Sequence, residues 1–365
     1  RQMCIRDSNY TMKDLEYGFP DYSVPSGETV GSFLCKITEV GARERYRTYD
    51  ERVRKQISRE LDLINKLHLG GYFLIVWDIV NFCRQHGILV QGRGSAANSA
   101  VCYSLGITAV DPIGMELLFE RFLSEERGEW PDIDLDLPSG ERREQVIQYI
   151  YKRYGKFGAG MTANVITYRG RNAARDVGKV VSIDQDQVDR LAKIMPRVDQ
   201  ADLCKSFTKC IRNTGVDPKQ QNLNLFGELW MRLQNLPRHL GQHSGGMVIC
   251  RGRLDEVVPL ERASMPNRAV VQWDKDDCAE MGIVKVDLLG LGMMSVLEDS
   301  LAIINTTSHQ IDLARLPADD PMVYQMLQAA DTVGVFQVES RAQMATLPRM
   351  RPERFYDLVV EVAII

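Results

Sequence analysis

The segment PDIDLD, residues 131–136, places an aspartate at every second position, and this alternation constrains the fold more than any other feature. Successive side chains of an extended strand point to opposite faces, so the three aspartates share one face and the intervening Ile and Leu share the other. The aspartates are Asp132, Asp134 and Asp136. Because like charges held this close repel, the strand needs lysine or arginine partners or bound divalent cations. The structural alternative is an edge strand with a solvated acidic face.

Composition limits the class of protein. The 365 residues are 44% hydrophobic and 26% charged, which predicts a globular chain of two or three domains rather than a disordered or fibrous one. No apolar stretch approaches the ~20 residues that span a bilayer, so we expect a soluble protein without a membrane partner. Eight cysteines occur without a CxxC spacing, which disfavours a zinc site or a disulfide framework and fits the cytoplasm.

Charge is distributed unevenly along the chain. The formal net charge is −4, which by itself argues against a nucleic-acid partner. Residues 142–179, however, contain nine Lys or Arg against two acids, a local net charge of +7. This stretch is either a nucleic-acid-binding surface or a solvated helix face.

A glycine-containing turn is predicted near residue 94. Apolar spacing predicts an amphipathic helix over 53–67, ended by glycines at 70 and 71, then a buried helix over 72–86 and a strand at GILVQ, residues 87–91. GRGSAANSAVCYSL follows as a glycine turn and a helix N-terminus, which would offer backbone N–H groups to an anion. A plain structural turn is the alternative.

Further elements follow from the same patterns. ELLFERFLSEER predicts a helix that places Arg121 and Arg127 just before the aspartate strand, and REQVIQYIYKRYG predicts another. Residues 180–236 and the last seventy read as helical. Strands are predicted in QHSGGMVIC, RAVVQWDKDD and GIVKVDLLGL. His239 and His243 are interpreted as shaping a turn with the adjacent glycines rather than as a metal pair.

A second acidic strand completes a chemical pattern. Lys285 and Asp287 lie two apart in GIVKVDLLGL and therefore share one face. A strand with DxD, a strand with a single Asp beside Lys, and a glycine turn are the parts required for nucleotidyl transfer. Two divalent cations ~3.5 to 4 Å apart would activate the attacking hydroxyl and stabilise the leaving pyrophosphate. Mg²⁺ suits this task because it prefers oxygen ligands.

Seven motifs in order resemble one family. They are GYFLIVWDIV, GRGSAANSAV, LLFERFLSEERGEWPDIDLD, RDVGK, QWDKDD, VKVDLLGLGM and VGVFQVESR. Together they resemble the C family of bacterial DNA polymerases, the DNA polymerase III alpha subunits, across roughly residues 45–365. The forms GRGSAANSAVCY, SEERGE and QWDKDD are most similar to its error-prone branch.

The resemblance implies an α/β (α+β) fold, with a polymerase-beta-like nucleotidyltransferase palm split by a mostly helical thumb insertion and followed by helical fingers. The expected segments are a remnant or artefact at 1–20, palm at 21–165, thumb at 166–242, palm at 243–292 and the beginning of the fingers at 293–365. The implied activity is DNA-templated DNA synthesis with pyrophosphate release, in error-prone translesion synthesis.

Site residues are also implied by the resemblance. Two Mg²⁺ ions would be held by the catalytic carboxylates of Asp132, Asp134 and Asp287. The incoming deoxynucleoside triphosphate would be bound by Gly94, Ser95, Arg121, Arg127 and Lys285. Primer-template DNA would be bound by Arg169, Arg171, Arg175 and Lys179. A sliding clamp and other accessory proteins would bind through regions outside this chain, in a bacterial cytoplasm.

Two other functions remain open. A template-independent nucleotidyltransferase would use the same turn and carboxylates, and a non-catalytic DNA-binding fragment would need neither. The basic segment between the carboxylate strands favours the polymerase, and the presence of all three aspartates argues against the non-catalytic alternative. Because the sequence begins without Met and ends in the apolar run YDLVVEVAII, we expect a fragment that is inactive alone.

Overall fold

The computed structural model describes residues 22–124, 131–194, 222–306 and 320–365, together with residues 11, 14, 15, 17–20, 311, 313 and 316. The chain divides into two compact units, Arg1–Val296 and Leu297–Ile365. The predicted remnant at 1–20 and the predicted thumb at 166–242 each lie partly outside the described residues.

Three helices open the first unit. They are α1 (Val30–Arg45), α2 (Glu51–Lys66) and α3 (Gly70–Gln85). Asp50 caps α2 by accepting a hydrogen bond from the Val53 N–H at 3.0 Å, and the apolar residues predicted to lie on one face of α2 are buried. The glycines predicted to end α2 instead begin α3. Helix α3 is buried on most sides, as its continuous apolar run predicts.

A seven-stranded mixed sheet forms the centre of the first unit, in the strand order β1-β2-β7-β4-β3-β6-β5. Its strands are β1 (Gln91–Arg93), β2 (Asp134–Pro138), β3 (Ala159–Thr167), β4 (Pro237–Ile249), β5 (Leu260–Arg262), β6 (Ala269–Val271) and β7 (Lys285–Leu291). Strands β2 and β7 are parallel, whereas β1 and β4 flank them in antiparallel orientation. The prediction of an α/β fold of the polymerase-beta-like nucleotidyltransferase type is confirmed.

Shorter helices connect the strands. A 3₁₀ turn (Gly94–Asn98) and α4 (Ala100–Ser104) follow β1, and α5 (Glu141–Tyr154) follows β2. Helix α9 (Lys275–Glu280) precedes β7 and is capped by Asp274. Ile133, Leu135 and Leu137 are fully buried together with the apolar residues of α3 and α5, so the apolar side of the aspartate segment forms the core.

The segment between β3 and β4 has its own hydrophobic core. It contains α6 (Gly170–Val180), α7 (Gln185–Ile194) and α8 (Leu223–Leu233). Trp230 of α8 is fully buried, and its indole N–H donates to the Gly170 carbonyl at 2.8 Å. An apolar cluster separate from that of the sheet therefore stabilises this insertion.

Helix α10 (Gly292–Ile304) begins in the first unit and ends in the second. The second unit also contains α11 (Pro321–Gln328), α12 (Arg341–Met350) and α13 (Phe355–Ile364). Its small core consists of Tyr324, Leu327, Val338 and Leu347. The described part of the last seventy residues is thus helical, as its sequence predicts.

Several local predictions are wrong. The strand begins at Gln91 rather than Gly87, and the helix expected in ELLFERFLSEER is only a 3₁₀ turn (Phe119–Arg121) in its described part. Strand β3 was not predicted, because its pairing with β4 is a long-range contact that local patterns do not reveal. His239 and His243 lie on β4 rather than in a turn.

Among the described residues, no single helix is long and apolar enough to cross a membrane. Helices α2 and α3 together have the length and apolar composition of a membrane span, but the pair is bent by 115°.

Candidate active site

Four neighbouring strands bring the predicted site residues into one row. In the pairing of β1 with β2, Arg93 lies opposite Asp134. Asp134 lies opposite Asp287 of β7, and Asp287 lies opposite Gly246 of β4. Adjacent strands are ~4.8 Å apart, so the turn that follows Arg93 begins one strand away from Asp134. The sheet therefore places the glycine turn beside the acidic residues.

Three carboxylates converge at the centre of this row. Asp132, Asp134 and Asp287 each offer an oxygen, and these oxygens lie within 4.8 Å of one another. Asp132 precedes β2 and has a 56% exposed side chain, whereas the side chain of Asp287 is 11% exposed. Asp136 is outside this group. The site is therefore open to solvent on the Asp132 side and closed around Asp287.

Lys285 bridges two of the three aspartates. Its Nζ lies 2.9 Å from Oδ1 and 3.0 Å from Oδ2 of Asp132, and 2.6 Å from Oδ2 of Asp287. Burial alone would lower the pKa of Lys285, but hydrogen bonds to Asp287 and Asp132 outweigh it and raise the pKa. The ammonium group is thus a counter-charge within the acidic cluster.

Arg93 supplies a second counter-charge that the sequence analysis did not assign. Its Nε lies 3.2 Å from Oδ1 of Asp136, and one terminal nitrogen lies 3.7 Å from Oδ2 of Asp134. The side chain of Asp136 is only 9% exposed, and burial raises its pKa although Arg93 opposes the increase. Like Oδ1 of Asp287, Oδ1 of Asp136 is buried without a hydrogen bond of good geometry, so the contact with Arg93 is an ion pair only. The sequence did contain a hint of this pairing, because an alternating acidic strand requires cationic neighbours and Arg93 lies in the motif GRGS.

Asp134 has an unusual protonation equilibrium. Burial raises its pKa, and the neighbouring charges of Asp132 and Asp287 add to this effect, giving a value of about 6. Arg93 and Lys285 oppose the increase. Three carboxylates therefore gather at one point against mutual repulsion, and two cationic side chains reduce the cost.

The donor set fits hard divalent cations. All three converging groups are carboxylates, the ligand type that Mg²⁺ prefers. Oδ1 of Asp287 is buried and has no hydrogen-bond partner in the structure, which is costly for a carboxylate oxygen unless a cation contacts it. The residues present are therefore suited to a Mg²⁺ site.

A bulge in β4 lies against Asp287. Thr162 of β3 faces the four residues 243–246 of β4, where the register of the two strands shifts. Nδ1 of His243 accepts hydrogen bonds from the N–H groups of Gly245 at 3.2 Å and Gly246 at 2.6 Å. A Cβ on Gly246 would lie 2.3 Å from Oγ1 of Thr162 and 3.1 Å from Oδ1 of Asp287. Glycine is therefore required at this position to let β4 approach the aspartate.

The glycine turn differs from its prediction in one respect. Gly94 has a φ of +73°, a conformation that suits glycine, and Ser95 follows it in the 3₁₀ turn. The first N–H groups of α4 were expected to face an anion, but the N–H groups of Ala100 and Val101 donate to the carboxylate of Glu60. The N–H groups at the start of α4 are therefore not free to face an anion.

The two predicted arginines have different outcomes. Arg121 is exposed at the end of the 3₁₀ turn (Phe119–Arg121), which packs against the turn that contains Ser95. Arg127 lies outside the described residues. The 3₁₀ turn that carries Arg121 therefore packs against the glycine turn.

The predicted DNA-binding residues lie at the start of the insertion. Arg171, Arg175 and Lys179 are exposed and spaced by four residues on α6, so they share one face of the helix. Arg169 precedes α6, is exposed and donates to Asn235, and Arg175 lies 3.5 Å from Asp189. These four cations form an exposed surface, which we call the α6 basic face.

Comparisons with known proteins agree with this geometry. A family model described as the bacterial DNA polymerase III alpha NTPase domain matches residues 32–290, and one described as the bacterial DNA polymerase III alpha subunit finger domain matches residues 293–365.

Curated relatives have closely similar sequences. The chain is 49% identical over 363 residues to a protein named error-prone DNA polymerase from Bordetella parapertussis, covering 99% of the chain and 34% of the relative. It is 52% identical over 346 residues to the protein of that name from Anaeromyxobacter dehalogenans, covering 92% of the chain and 30% of the relative. The chain spans about a third of the length of these relatives. With most of its length matched by the family model, the chain belongs to the bacterial DNA polymerase III alpha family.

Proposed function

We propose that this chain contains the catalytic site of a DNA-templated DNA polymerase that adds deoxynucleotides to a primer 3′ end. The observation that carries the proposal is the convergence of Asp132, Asp134 and Asp287 beside the glycine turn. In the reaction the primer 3′ oxygen forms a bond to the α-phosphorus of the incoming nucleotide, and the bond from that phosphorus to the pyrophosphate oxygen breaks. Pyrophosphate leaves.

Asp132, Asp134 and Asp287 are proposed to hold two Mg²⁺ ions. When bound, such ions lower the pKa of the attacking hydroxyl and neutralise charge on the leaving pyrophosphate. The protein contributes orientation, because β2 and β7 fix Asp134 and Asp287 side by side. Without bound metal, Lys285 occupies oxygens of Asp132 and Asp287 as a counter-charge. Arg93 keeps Asp136 paired, so that carboxylate is proposed to support the site without binding metal.

The triphosphate is proposed to bind at the turn that contains Gly94 and Ser95. The absence of a side chain at Gly94 lets a phosphate approach the backbone, and the turn adjoins β1 next to Asp134. Arg121, Arg127 and Lys285 are proposed to neutralise the phosphate charge. The exposed position of Arg121 beside the turn supports its part in this proposal.

Primer-template DNA is proposed to contact the α6 basic face. Exposed Arg and Lys side chains on one helix face suit sequence-independent attraction to phosphates. In this proposal residues 166–242 are the thumb, residues 21–165 and 243–292 form the palm, and the fingers begin at 293. A separate hydrophobic core in the insertion supports its treatment as a distinct segment.

Error-prone translesion synthesis is the proposed cellular role, because the matched relatives carry the name error-prone DNA polymerase. A sliding clamp and accessory proteins are proposed partners of the longer polymerase, in the bacterial cytoplasm.

Primer extension tests the proposal. A polymerase containing this chain is incubated with labelled primer, template, the four deoxynucleoside triphosphates and Mg²⁺, and product length and pyrophosphate are measured. We expect extension that copies the template and stops at its end, and none with Asp134→Asn. Equal extension without template would instead support the template-independent transferase. DNA binding without extension would support the non-catalytic alternative.

A further inference from the structure

Glu60 is an acid buried in the helical layer beside the glycine turn. It lies on α2, on the face that packs against α4, and it has no exposed surface. Burial raises the pKa of its carboxyl group, although four hydrogen bonds favour the charged form. A buried carboxylate is costly unless its oxygens are fully paired, so its contacts indicate what the fold gains from it.

All four hydrogen bonds have ordinary lengths of 2.8 to 3.0 Å, and three of them reach the same segment. Oε1 of Glu60 accepts from the Ala100 N–H at 3.0 Å and from Nε2 of Gln56 at 2.8 Å. Oε2 accepts from the Val101 N–H at 3.0 Å and from the Ser99 hydroxyl at 2.8 Å. One side chain of α2 therefore holds the first N–H groups of α4 and its N-cap residue.

The held segment is continuous with the glycine turn. Oγ of Ser99 accepts from the Cys102 N–H at 3.1 Å, while the Ser99 N–H donates to the Ala96 carbonyl at 3.1 Å. The side-chain amide of Asn98 donates from Nδ2 to the Ser95 carbonyl at 2.9 Å. Hydrogen bonds thus connect the Glu60 carboxylate through Ser99 to Ala96, inside the 3₁₀ turn, and a separate bond between Asn98 and Ser95 lies within the same turn.

The carboxylate satisfies the N–H groups at the start of α4. Both Ala100 and Val101 donate to Glu60, and Ser99 joins the same carboxylate, so the start of this five-residue helix is fixed to α2. An apolar side chain at position 60 could fill the same space but would leave these N–H groups unpaired.

From this geometry we propose that Glu60 is a positioning residue for the nucleotide: through Ser99 and the start of α4, its carboxylate holds the 3₁₀ turn (Gly94–Asn98) in place for the triphosphate. The inference rests on the proposed function of Gly94 and Ser95 in triphosphate binding. Glutamine at position 60 has the same shape as glutamate. Its NH₂ group would, however, face an N–H or hydroxyl donor whose hydrogen bond a carboxylate oxygen now accepts.

The test compares a polymerase containing this chain with its Glu60→Gln variant in two measurements. The first is the affinity for a fluorescent methylanthraniloyl dATP in the presence of Mn²⁺. The second is amide hydrogen exchange over residues 94–101. We expect about tenfold weaker nucleotide binding and faster exchange in Glu60→Gln, as is typical when a residue that orients a binding group is changed.

Controls separate positioning from general destabilisation. Asp62→Asn makes the same chemical change at an exposed position of α2 and should change neither measurement. Mn²⁺ binding without nucleotide, measured by electron paramagnetic resonance, should be unchanged in Glu60→Gln, because the aspartates are not in its network. A joint loss of Mn²⁺ and nucleotide binding in both Glu60→Gln and Ser99→Ala would show that this network supports only the fold of the unit, and it would overturn a positioning role.

A second variant covers the case in which Glu60→Gln does not fold. Ser99→Ala removes one partner of the same carboxylate and should also weaken nucleotide binding. If the folded variants bind the nucleotide as tightly as the parent polymerase, the inference about Glu60 is wrong while the proposed function stands. If the parent polymerase does not bind the nucleotide at all, the triphosphate site at the turn is wrong and this inference falls with it.

Discussion

Asp134 lies directly opposite Asp287 in the parallel pair formed by β2 and β7, and Asp132, two residues before Asp134, extends the same group. Asp136, two residues after Asp134, faces Leu289 and is paired with Arg93 instead. Four acids therefore form two electrostatic environments.

Asn substitutions at the three converging aspartates should lower the reaction rate much more than the same substitution at Asp136. In a polymerase containing this chain, Asp132→Asn, Asp134→Asn and Asp287→Asn should each lower the single-turnover rate by roughly three to four decades, if each loses ~5 kcal/mol of transition-state stabilisation. Asp136→Asn should lose only ~10- to 100-fold, because it acts through Arg93. If Asp136→Asn is as inactive as Asp134→Asn while Asp132→Asn retains activity, the assignment of ligands is wrong.

Lys285 should compete with a divalent cation for the same oxygens. Its ammonium contacts Asp132 and Asp287, so Lys285→Met should leave both carboxylates free and raise the affinity for Mn²⁺ without nucleotide, by about tenfold or ~1.4 kcal/mol. Electron paramagnetic resonance of free Mn²⁺ measures this. Lys275→Met, at an exposed position of α9, is the matched control. Weaker Mn²⁺ binding by Lys285→Met would show that the lysine orients the carboxylates for metal.

Gly246 should not tolerate a side chain. In Gly246→Ala the new Cβ would overlap Oγ1 of Thr162 and press on Asp287, which should cost about 1–3 kcal/mol of unfolding free energy and weaken Mn²⁺ binding. Gly292→Ala is the control, because a Cβ there meets no atom within 4 Å. Chemical denaturation and Mn²⁺ titration test both variants. Equal stability and Mn²⁺ affinity in both variants would contradict the close packing of the β4 bulge.

Binding of DNA by the α6 basic face should be mainly electrostatic. Ala substitutions of Arg169, Arg171 and Arg175 should weaken binding similarly on all DNA sequences, and each lost phosphate contact should reduce the slope of log affinity against log salt by roughly one unit. Fluorescence anisotropy at several salt concentrations measures the slope. Arg232→Ala, at an exposed position of α8 where the side chain pairs with Glu228, is the control. Sequence-dependent losses would indicate contacts to bases.

Glu144 should stabilise the fold in a pH-dependent way. It accepts hydrogen bonds from Gln148 and from Arg268, whose side chain is only 2% exposed. Burial alone would raise the pKa of Glu144, but these hydrogen bonds lower it below 4.5. A lowered folded-state pKa means that the stabilisation is present above pH 4.5 and is lost as the pH falls below that value.

Glu144→Gln should therefore lower the unfolding free energy at pH 7 by about 2 kcal/mol, less than for a fully buried pair because Glu144 is partly exposed. The difference from the parent chain should shrink as the pH falls below 4.5. Urea denaturation across pH 3–7 measures it, with the exposed Glu141→Gln as control. A pH-independent difference would show that the lost interaction is steric rather than ionic.

Local patterns predicted the elements that carry the site. The alternation in PDIDLD and the spacing of Lys285 and Asp287 were sufficient to expect acidic strands with a cationic neighbour, because strand periodicity fixes which side chains share a face. Helices α2 and α3 also followed from apolar spacing. These properties depend only on residues adjacent in sequence.

Properties that depend on distant residues were not predicted. The pairing of Arg93 with Asp136 requires the antiparallel register of β1 and β2, and the role of Glu60 requires the contact between α2 and α4. His243 was expected in a turn because glycines follow it in the sequence. In the structure these glycines lie in a bulge of strand β4. Sequence spacing alone does not contain these registers.

The parallel pairing of β2 with β7 joins residues about 150 positions apart, with the insertion between β3 and β4 in the intervening chain. Such pairing closes a long loop and is intrinsically slow to form. During synthesis the ribosome must therefore release Asp287 before Asp132 and Asp134 acquire their partner. Metal binding by the triad would consequently report on completed folding of the sheet, and an interrupted nascent chain would present two unmatched carboxylates instead of a site.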